Sequence, residues 1–467
     1  MSARDEASTS FLNSDAVNDE FFIEIVERKL NISRDQFKLR LVFILPATGK
    51  NENYVSVVYR AKIKVEILET KESKTVDAIV KALISPIQEM KEFDFFEHEI
   101  VVYKDVIENF ENTFLEKANE VVEFGPKCIK IVSEPYEIIV LDDLKEQNYV
   151  MADRKLGLNL EHSKLVLSKF AKFHAASAIR HQKDGQISPL LDRLMMMQNP
   201  KLNTPERLEK SSQTFKMMFE NYVKTVKSIE GLEKIAEKIE KWDPIKLFVI
   251  YLALAEPMQG GFKVLNHGDG WCNNMMFKYG EDGQILDVKF IDFQLSFWGS
   301  PAHDLIYFFV SSVADDVKVA YFDDLVQFYY NELVDSLKKL NYDQPIPTLI
   351  ELQLDLLQKG GAFAFNMMFV MFVVKYDSSE ELDISQMFDQ NKGDPEAFLN
   401  AFNNPIYKKA IETWLPFLDK RGFMDTFLPN APVTPFVQGI LDSMPKPAVA
   451  PAGQADLTDP EPPKDEE

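Results

Sequence analysis

Asn266-His267-Gly268-Asp269-Gly270-Trp271-Cys272-Asn273-Asn274, followed by Phe290-Ile291-Asp292-Phe293-Gln294, decides how this chain is read. An aspartate, an asparagine five positions later and a second aspartate beyond a hairpin are the three side chains that a kinase-type phosphoryl-transfer site requires. A hydroxyl attacking a γ-phosphate needs a carboxylate within hydrogen-bond reach to orient it and take its proton, and a nearby amide oxygen must reach a Mg²⁺ ion. Asp269 is accordingly the candidate general base and Asn274 the first candidate metal ligand. Asn273 falls one residue out of frame and reads as structural; His267 reads as scaffold beneath the loop rather than as a second base. Asp292 closes the apolar run 288–293, where a lone carboxylate is costly to desolvate, and a bound Mg²⁺ would give it a partner. The alternative for Asp292 is a solvated aspartate at a strand end, but a hairpin between it and Asn274 would bring both onto one cation.

Upstream, residues 1–18 have no periodicity and read as loose, and 19–30 carries Phe21, Phe22, Ile25, Val26 and Leu30 on one face of a short helix outside the first lobe. Alternation then predicts strands over 37–45, 54–67 and 76–84, the last carrying Lys81. Phe93, Phe96, Ile100, Tyr103 and Ile107 keep the spacing of one buried helical stripe, with Glu99 on its flank. Two short strands, 128–132 and 137–141, complete a five-stranded sheet with one helix. A strand lysine followed by a helical glutamate is the pairing that holds the α- and β-phosphates in kinases. Lys81 is the candidate phosphate lysine and Glu99 its candidate partner, with Glu97 and Glu92 as alternatives. In the turn 48–56, backbone amides, Asn53 and Ser56 are candidates to contact phosphate, with Lys50 a weaker one; a plain hairpin turn is the alternative, since the turn has a single glycine.

Beyond about residue 160 helices dominate, predicted over 206–227, 232–241, 247–254, 301–314, 323–340 and 349–376, with strands returning at 275–279 and 285–293 around an Asp282-Gly283 hairpin. Ser300 reads as the N-cap and Pro301 as the first residue of a helix, and Asp304 as a brace for the catalytic loop. The organisation read from this is an N-terminal segment 1–35, a nucleotide-binding lobe 36–145, a catalytic and substrate-binding lobe 146–440, and an acidic, Pro-rich disordered tail 441–467. The expected fold is α+β and two-lobed, a small five-stranded antiparallel β lobe with one helix and a larger, mainly helical lobe.

Against 74 acidic side chains stand 52 basic ones, a net charge of −22, which repels nucleic acid and acidic membranes and makes local lysines and Mg²⁺ necessary for ATP. Cys128 and Cys272 lack metal-ligand spacing and give no disulfide framework, so a reducing cytosol is expected. The apolar run 360–374 contains Asn366 and falls short of the ~20 residues a membrane span needs.

Residues 49–60 (GKNENYVSVVYR), Lys81, 99–103, Leu141-Asp142-Asp143-Leu144, Ala171-Lys172-Phe173-His174-Ala175, 267–277 (HGDGWCNNMMF), Asp292-Phe293-Gln294 and 299–308 together resemble the ecdysteroid kinase-like family of arthropods, which is similar to choline kinases and aminoglycoside phosphotransferases. The resemblance spans roughly 35–420. It implies a protein-kinase-like fold, the cofactors ATP and Mg²⁺, and phosphorylation of a small-molecule hydroxyl, in an ecdysteroid or a xenobiotic or dietary compound. It also implies a nucleotide hinge at Asp142 and Leu144, with Asp142 standing where glutamate is usual. Gln294 in place of the glycine of the Asp-Phe-Gly triplet argues against a protein kinase. The other readings are a catalytically silent ligand-binding protein and a choline- or ethanolamine-type kinase. The stretch 363–372, rich in Phe and Met, reads either as an apolar substrate pocket or as core.

Overall fold

The computed structural model describes residues 11–12, 14–47, 56–83, 94–192, 205–245, 247, 261–376 and 401–425. Its first lobe is an antiparallel sheet of β1 (Phe37–Pro46), β2 (Val57–Ile67), β3 (Ser73–Ala82), β4 (Cys128–Val132) and β5 (Ile138–Asp142), in the order β1-β2-β3-β5-β4. Alternation sorts its residues. Ala61, Ile63, Val65, Ala78, Val80 and Val140 are buried in a core with α1 (Asp19–Leu30), to which Phe21, Phe22, Ile25 and Val26 contribute. Arg60, Val58, Ile79 and Lys81 lie on the opposite face, because Val58 is opposite Lys81 and Arg60 opposite Ile79. Asn18 caps α1 by accepting from the Phe21 amide at 3.0 Å.

The reading of 1–18 as loose is corrected at Phe11, which is fully buried between Tyr59 and Tyr136. A single aromatic in a polar stretch carries no period, so its anchoring was invisible in sequence. The predicted stripe helix is α2 (Phe95–Val101), a π-helical turn Val102–Val106, and α3 (Ile107–Ala118). Asn119, in the left-handed conformation, ends it.

The second lobe is built on α4 (Leu160–Asp184), with buried Val166, Leu167, Phe170, Phe173 and His174. Around it stand α5 (Pro205–Lys227), α6 (Glu233–Ile239), α7 (Ala302–Ser311), α8 (Asp315–Lys339), α9 (Leu349–Gln358), α10 (Gly360–Asn366), a π-helical turn Met367–Met371, α11 (Phe372–Lys375) and α12 (Pro405–Lys420). Short sheets join the lobes: β6 (Tyr149–Met151) pairs with β8 (Met275–Tyr279), which pairs with β9 (Ile285–Phe290), and β7 (Val264–Asn266) pairs with β10 (Phe297–Gly299). The fold is thus α+β and two-lobed. Among the described residues no helix is long and apolar enough to cross a membrane.

Several boundaries differ from expectation. The helix predicted over 323–340 matches the part of α8 that follows a kink at Tyr321 (φ −125°, ψ 19°); the piece before the kink, from Asp315, was not expected, since fully buried Lys318, answered by Asp315 at 2.9 Å, sits where the period calls for an apolar residue. The continuous helix predicted over 349–376 is interrupted before Gly360, where the chain runs so close to Phe423 that an added Cβ would lie 2.5 Å from its carbonyl oxygen. β9 stops at Phe290 rather than 293 because Asp292 takes a left-handed φ of 65°. The helix predicted over 247–254 lies, beyond Leu247, outside the described residues, as do Lys50, Asn53 and the tail 441–467.

Candidate phosphoryl-transfer site

The loop that leaves β7 is fixed through its backbone. Asp304, fully buried on α7, accepts the His267 amide on Oδ2 at 2.7 Å and the Gly268 amide on Oδ1 at 2.9 Å. The same Oδ2 is 3.0 Å from Nε2 of buried His174, whose Nδ1 meets the Tyr329 hydroxyl at 2.7 Å. Burial raises the Asp304 carboxyl, but the His174 hydrogen bond and the surrounding imidazoles outweigh it and hold the group below its ordinary range. Gly268 has φ +82°, and a Cβ there would stand 2.0 Å from the Leu295 carbonyl oxygen. Gly268→Ala is therefore expected to lower the unfolding temperature by several degrees, since the left-handed penalty alone is about 1–2 kcal/mol before any backbone shift. A thermal melt checks this.

His267 joins the loop to the strand end. Burial lowers its pKa and keeps it neutral. Its Nε2 lies 3.1 Å from the Ile291 carbonyl and its Nδ1 3.3 Å from the Asp269 amide, which sets the tautomer as Nε2–H donating and Nδ1 accepting. The ring is tilted against Phe293 at 4.7 Å.

Asp269 is held on both carboxylate oxygens. The Asn274 amide Nδ2 donates to its Oδ2 and its main-chain carbonyl, each at 2.9 Å, and the Tyr307 hydroxyl donates to Oδ1 at 2.5 Å. With Nδ2 so used, Oδ1 of Asn274 is the atom left to face a cation. Burial, opposed by the Tyr307 hydrogen bond and reinforced by Asp292, pushes the Asp269 carboxyl up to about 6. Pairing of Met275 with Phe290, and a bond from the Ile291 amide to the Asn274 carbonyl at 3.0 Å, set the two candidate metal ligands side by side at the base of the β8–β9 hairpin.

Lys81 reaches this cluster from the other lobe. Its Nζ lies 2.6 Å from Glu99 Oε2 and 2.9 Å from Asp292 Oδ1. Burial alone would lower the lysine pKa, but the two carboxylates together raise it, so the ammonium stays charged. One ammonium between two carboxylates leaves a surplus negative charge. Burial, helped by Asp292 and opposed by Lys81, pushes Glu99 up to about 7. Glu97, the alternative partner, is exposed, and Glu92 lies outside the described residues. Tyr103, from the π-helical turn after α2, meets the Phe293 ring edge-on at 5.5 Å and seats the Glu99 helix against the Asp292 segment.

The remaining candidates are placed less centrally. Ser56 is buried at the start of β2. Asp142 turns its carboxylate to the α1 face, where Lys29 meets it at 2.8 Å, so a nucleotide contact there would run through its main chain. Leu144 packs with Tyr149, Met276 and Ile291 in a small cluster between linker and hairpin. Ser300 does receive the Ala302 amide, but the helix proper starts at Ala302, after Pro301. Sequence reading missed Tyr307 and the ion pair of Arg60 with nearly buried Asp143, which ties β2 to the interlobe linker. Tyr307 had one signal: it follows Asp304 by three residues on the same helix, and so shares its face.

An antiparallel five-stranded lobe whose strand lysine pairs with a helical glutamate, set over a helical lobe bearing an Asp-Asn-Asp cluster, defines a kinase-like protein. The profile of the ecdysteroid kinase-like family matches residues 50–342, and the chain belongs to that family. No curated protein matches it.

Proposed function

We propose that this protein transfers the γ-phosphoryl group of ATP, with Mg²⁺, to a hydroxyl of a small molecule, an ecdysteroid or a xenobiotic or dietary compound. The observation that carries the reading is the convergence of Lys81, Glu99, Asp292, Asn274 and Asp269 from both lobes. Among the described residues no cluster of three or more His, Cys, Asp or Glu forms a ready metal cage. Mg²⁺ is commonly held by one or two carboxylates together with substrate phosphates and water. Asn274 Oδ1 and the Asp292 carboxylate would be its protein ligands, and the contact of Lys81 with Asp292 supports a cation-seeking site there. Bound Mg²⁺ would neutralise charge on the phosphates.

The chain's own residues would do the rest. Lys81, steadied by Glu99, binds phosphate oxygens; Asp269 orients the acceptor hydroxyl and takes its proton as the new P–O bond forms and ADP leaves. Lys81→Met is expected to weaken MgATP binding roughly 10–100-fold, the worth of a charge-assisted hydrogen bond, as read by calorimetry. Two free thiols, one buried and one partly buried, suit a reducing cytosol.

A panel of ecdysteroids, cholines and phenolic glycosides, incubated with MgATP and followed by mass spectrometry, tests the reading. One acceptor class gaining a phosphoryl group supports it and names the substrate. ATP bound tightly with no acceptor modified would favour a ligand-binding protein instead.

A further inference from the structure

α7 grips the catalytic loop twice. Asp304 holds its backbone through the His267 and Gly268 amides, and one helical turn on, Tyr307 holds the side chain of Asp269 through Oδ1 at 2.5 Å. Asn274 takes the other oxygen, Oδ2, at 2.9 Å. The two oxygens are thereby distinguished: Oδ2 is turned to the candidate metal ligand, and Oδ1 to a phenol whose ring is itself fixed. His303 stacks on Tyr307 with centroids 6.2 Å apart and planes at 17°, and His303 meets Phe297 edge-on at 4.9 Å. Phe297 begins β10, which pairs with β7, the strand that leads into the loop. The chain of contacts closes on itself.

An aspartate has one soft torsion beyond Cβ, and rotation about it is the freedom that would turn a lone pair away from an incoming hydroxyl. Near-attack geometry is sensitive to displacements of about 1 Å, which can cost on the order of 10²-fold in rate. A single hydrogen bond from Asn274 would leave the carboxylate free to swing about that contact; a second one from the opposite side removes the swing. We propose that Tyr307 is a positioning residue for phosphoryl transfer, locking the Asp269 carboxylate so that it presents a lone pair to the acceptor hydroxyl. The inference rests on the kinase reading above, and deepens it by naming a residue that acts through Asp269 without itself exchanging a proton.

The test compares wild type, Tyr307→Phe, Asp269→Asn and the double variant, each assayed for transfer to the acceptor found in the panel, for MgATP affinity by calorimetry and for unfolding temperature. Phenylalanine keeps the ring and its stack on His303 while deleting the hydroxyl. The expected result is a kcat about tenfold lower or more in Tyr307→Phe, with acceptor KM, MgATP affinity and unfolding temperature close to wild type. The double variant should be no slower than Asp269→Asn alone, because a residue acting through Asp269 has nothing left to position. A Tyr307→Phe kcat within twofold of wild type, beside an inactive Asp269→Asn, would overturn the inference and leave the kinase reading standing. So would a loss of kcat that accompanies a fall in both unfolding temperature and MgATP affinity, which marks a structural role. Wild type that transfers no phosphoryl group to any acceptor would overturn both together.

Discussion

Asp269→Asn is expected to lower kcat by about 10²–10⁴-fold, the usual worth of a positioned general base, with MgATP binding and the fold retained. The asparagine has nearly the same volume; its oxygen can go on accepting from the Asn274 Nδ2 while its new NH2 group donates to the Tyr307 hydroxyl oxygen, so both contacts of the loop are kept. What it loses is the ability to take a proton. Its neutrality also removes the repulsion between Asp269 and Asp292, so no stability is lost with the charge. Because the interaction matters only as the acceptor oxygen attacks, kcat and kcat/KM should fall together, with the dissociation constant of MgATP unchanged. Steady-state kinetics beside calorimetry read both.

Asp304→Ala acts on the same loop from behind and should be the most destabilising change in the site. It leaves the amides of His267 and Gly268 and the His174 imidazole without their acceptor in a fully buried setting. Leaving buried hydrogen-bond donors unsatisfied costs roughly 1–3 kcal/mol each, so several kcal/mol here, on the order of 10 °C in unfolding temperature. The pH dependence has a definite sign. Since Asp304 is held below its ordinary range when folded, its contribution is present at neutral pH and is lost as pH falls below roughly 4, where the carboxylate of the unfolded chain takes up its proton while the folded one is still ionised and follows only in stronger acid. The stability gap between wild type and Asp304→Ala should therefore be widest near neutrality and narrow in acid, in thermal melts taken across pH 7 to 3.

The sheet and the shape of the Asp269 loop were legible because each rests on a local rule. Period-two alternation carries the three long strands, and the hairpin around Asp282-Gly283 brings Asn274 against Ile291, the neighbour of Asp292. Lys81 and Glu99 were legible as a pair only by analogy of strand and helix, since Glu97 and Glu92 had equal standing in sequence; burial separates them, Glu99 being buried and Glu97 exposed. Features that depend on one residue meeting a distant one left no pattern. Phe11 on Tyr59, Arg60 on Asp143 and Tyr307 on Asp269 are such cases. β6 was missed because three residues, two of them exposed, are too few to show a period. The piece of α8 before its kink at Tyr321 was missed because a buried, ion-paired Lys318 mimics a solvated position.

The most direct test of the central claim is the Mg²⁺-dependent appearance of a phosphorylated acceptor together with ADP, in wild type and Asp269→Asn side by side. The account predicts equal formation of both products in wild type, none without Mg²⁺, and near-complete loss in the variant. Unimpaired transfer by Asp269→Asn would contradict it, since the loop held by Asp304, Asn274 and Tyr307 would then be organised around a carboxylate that the reaction does not use.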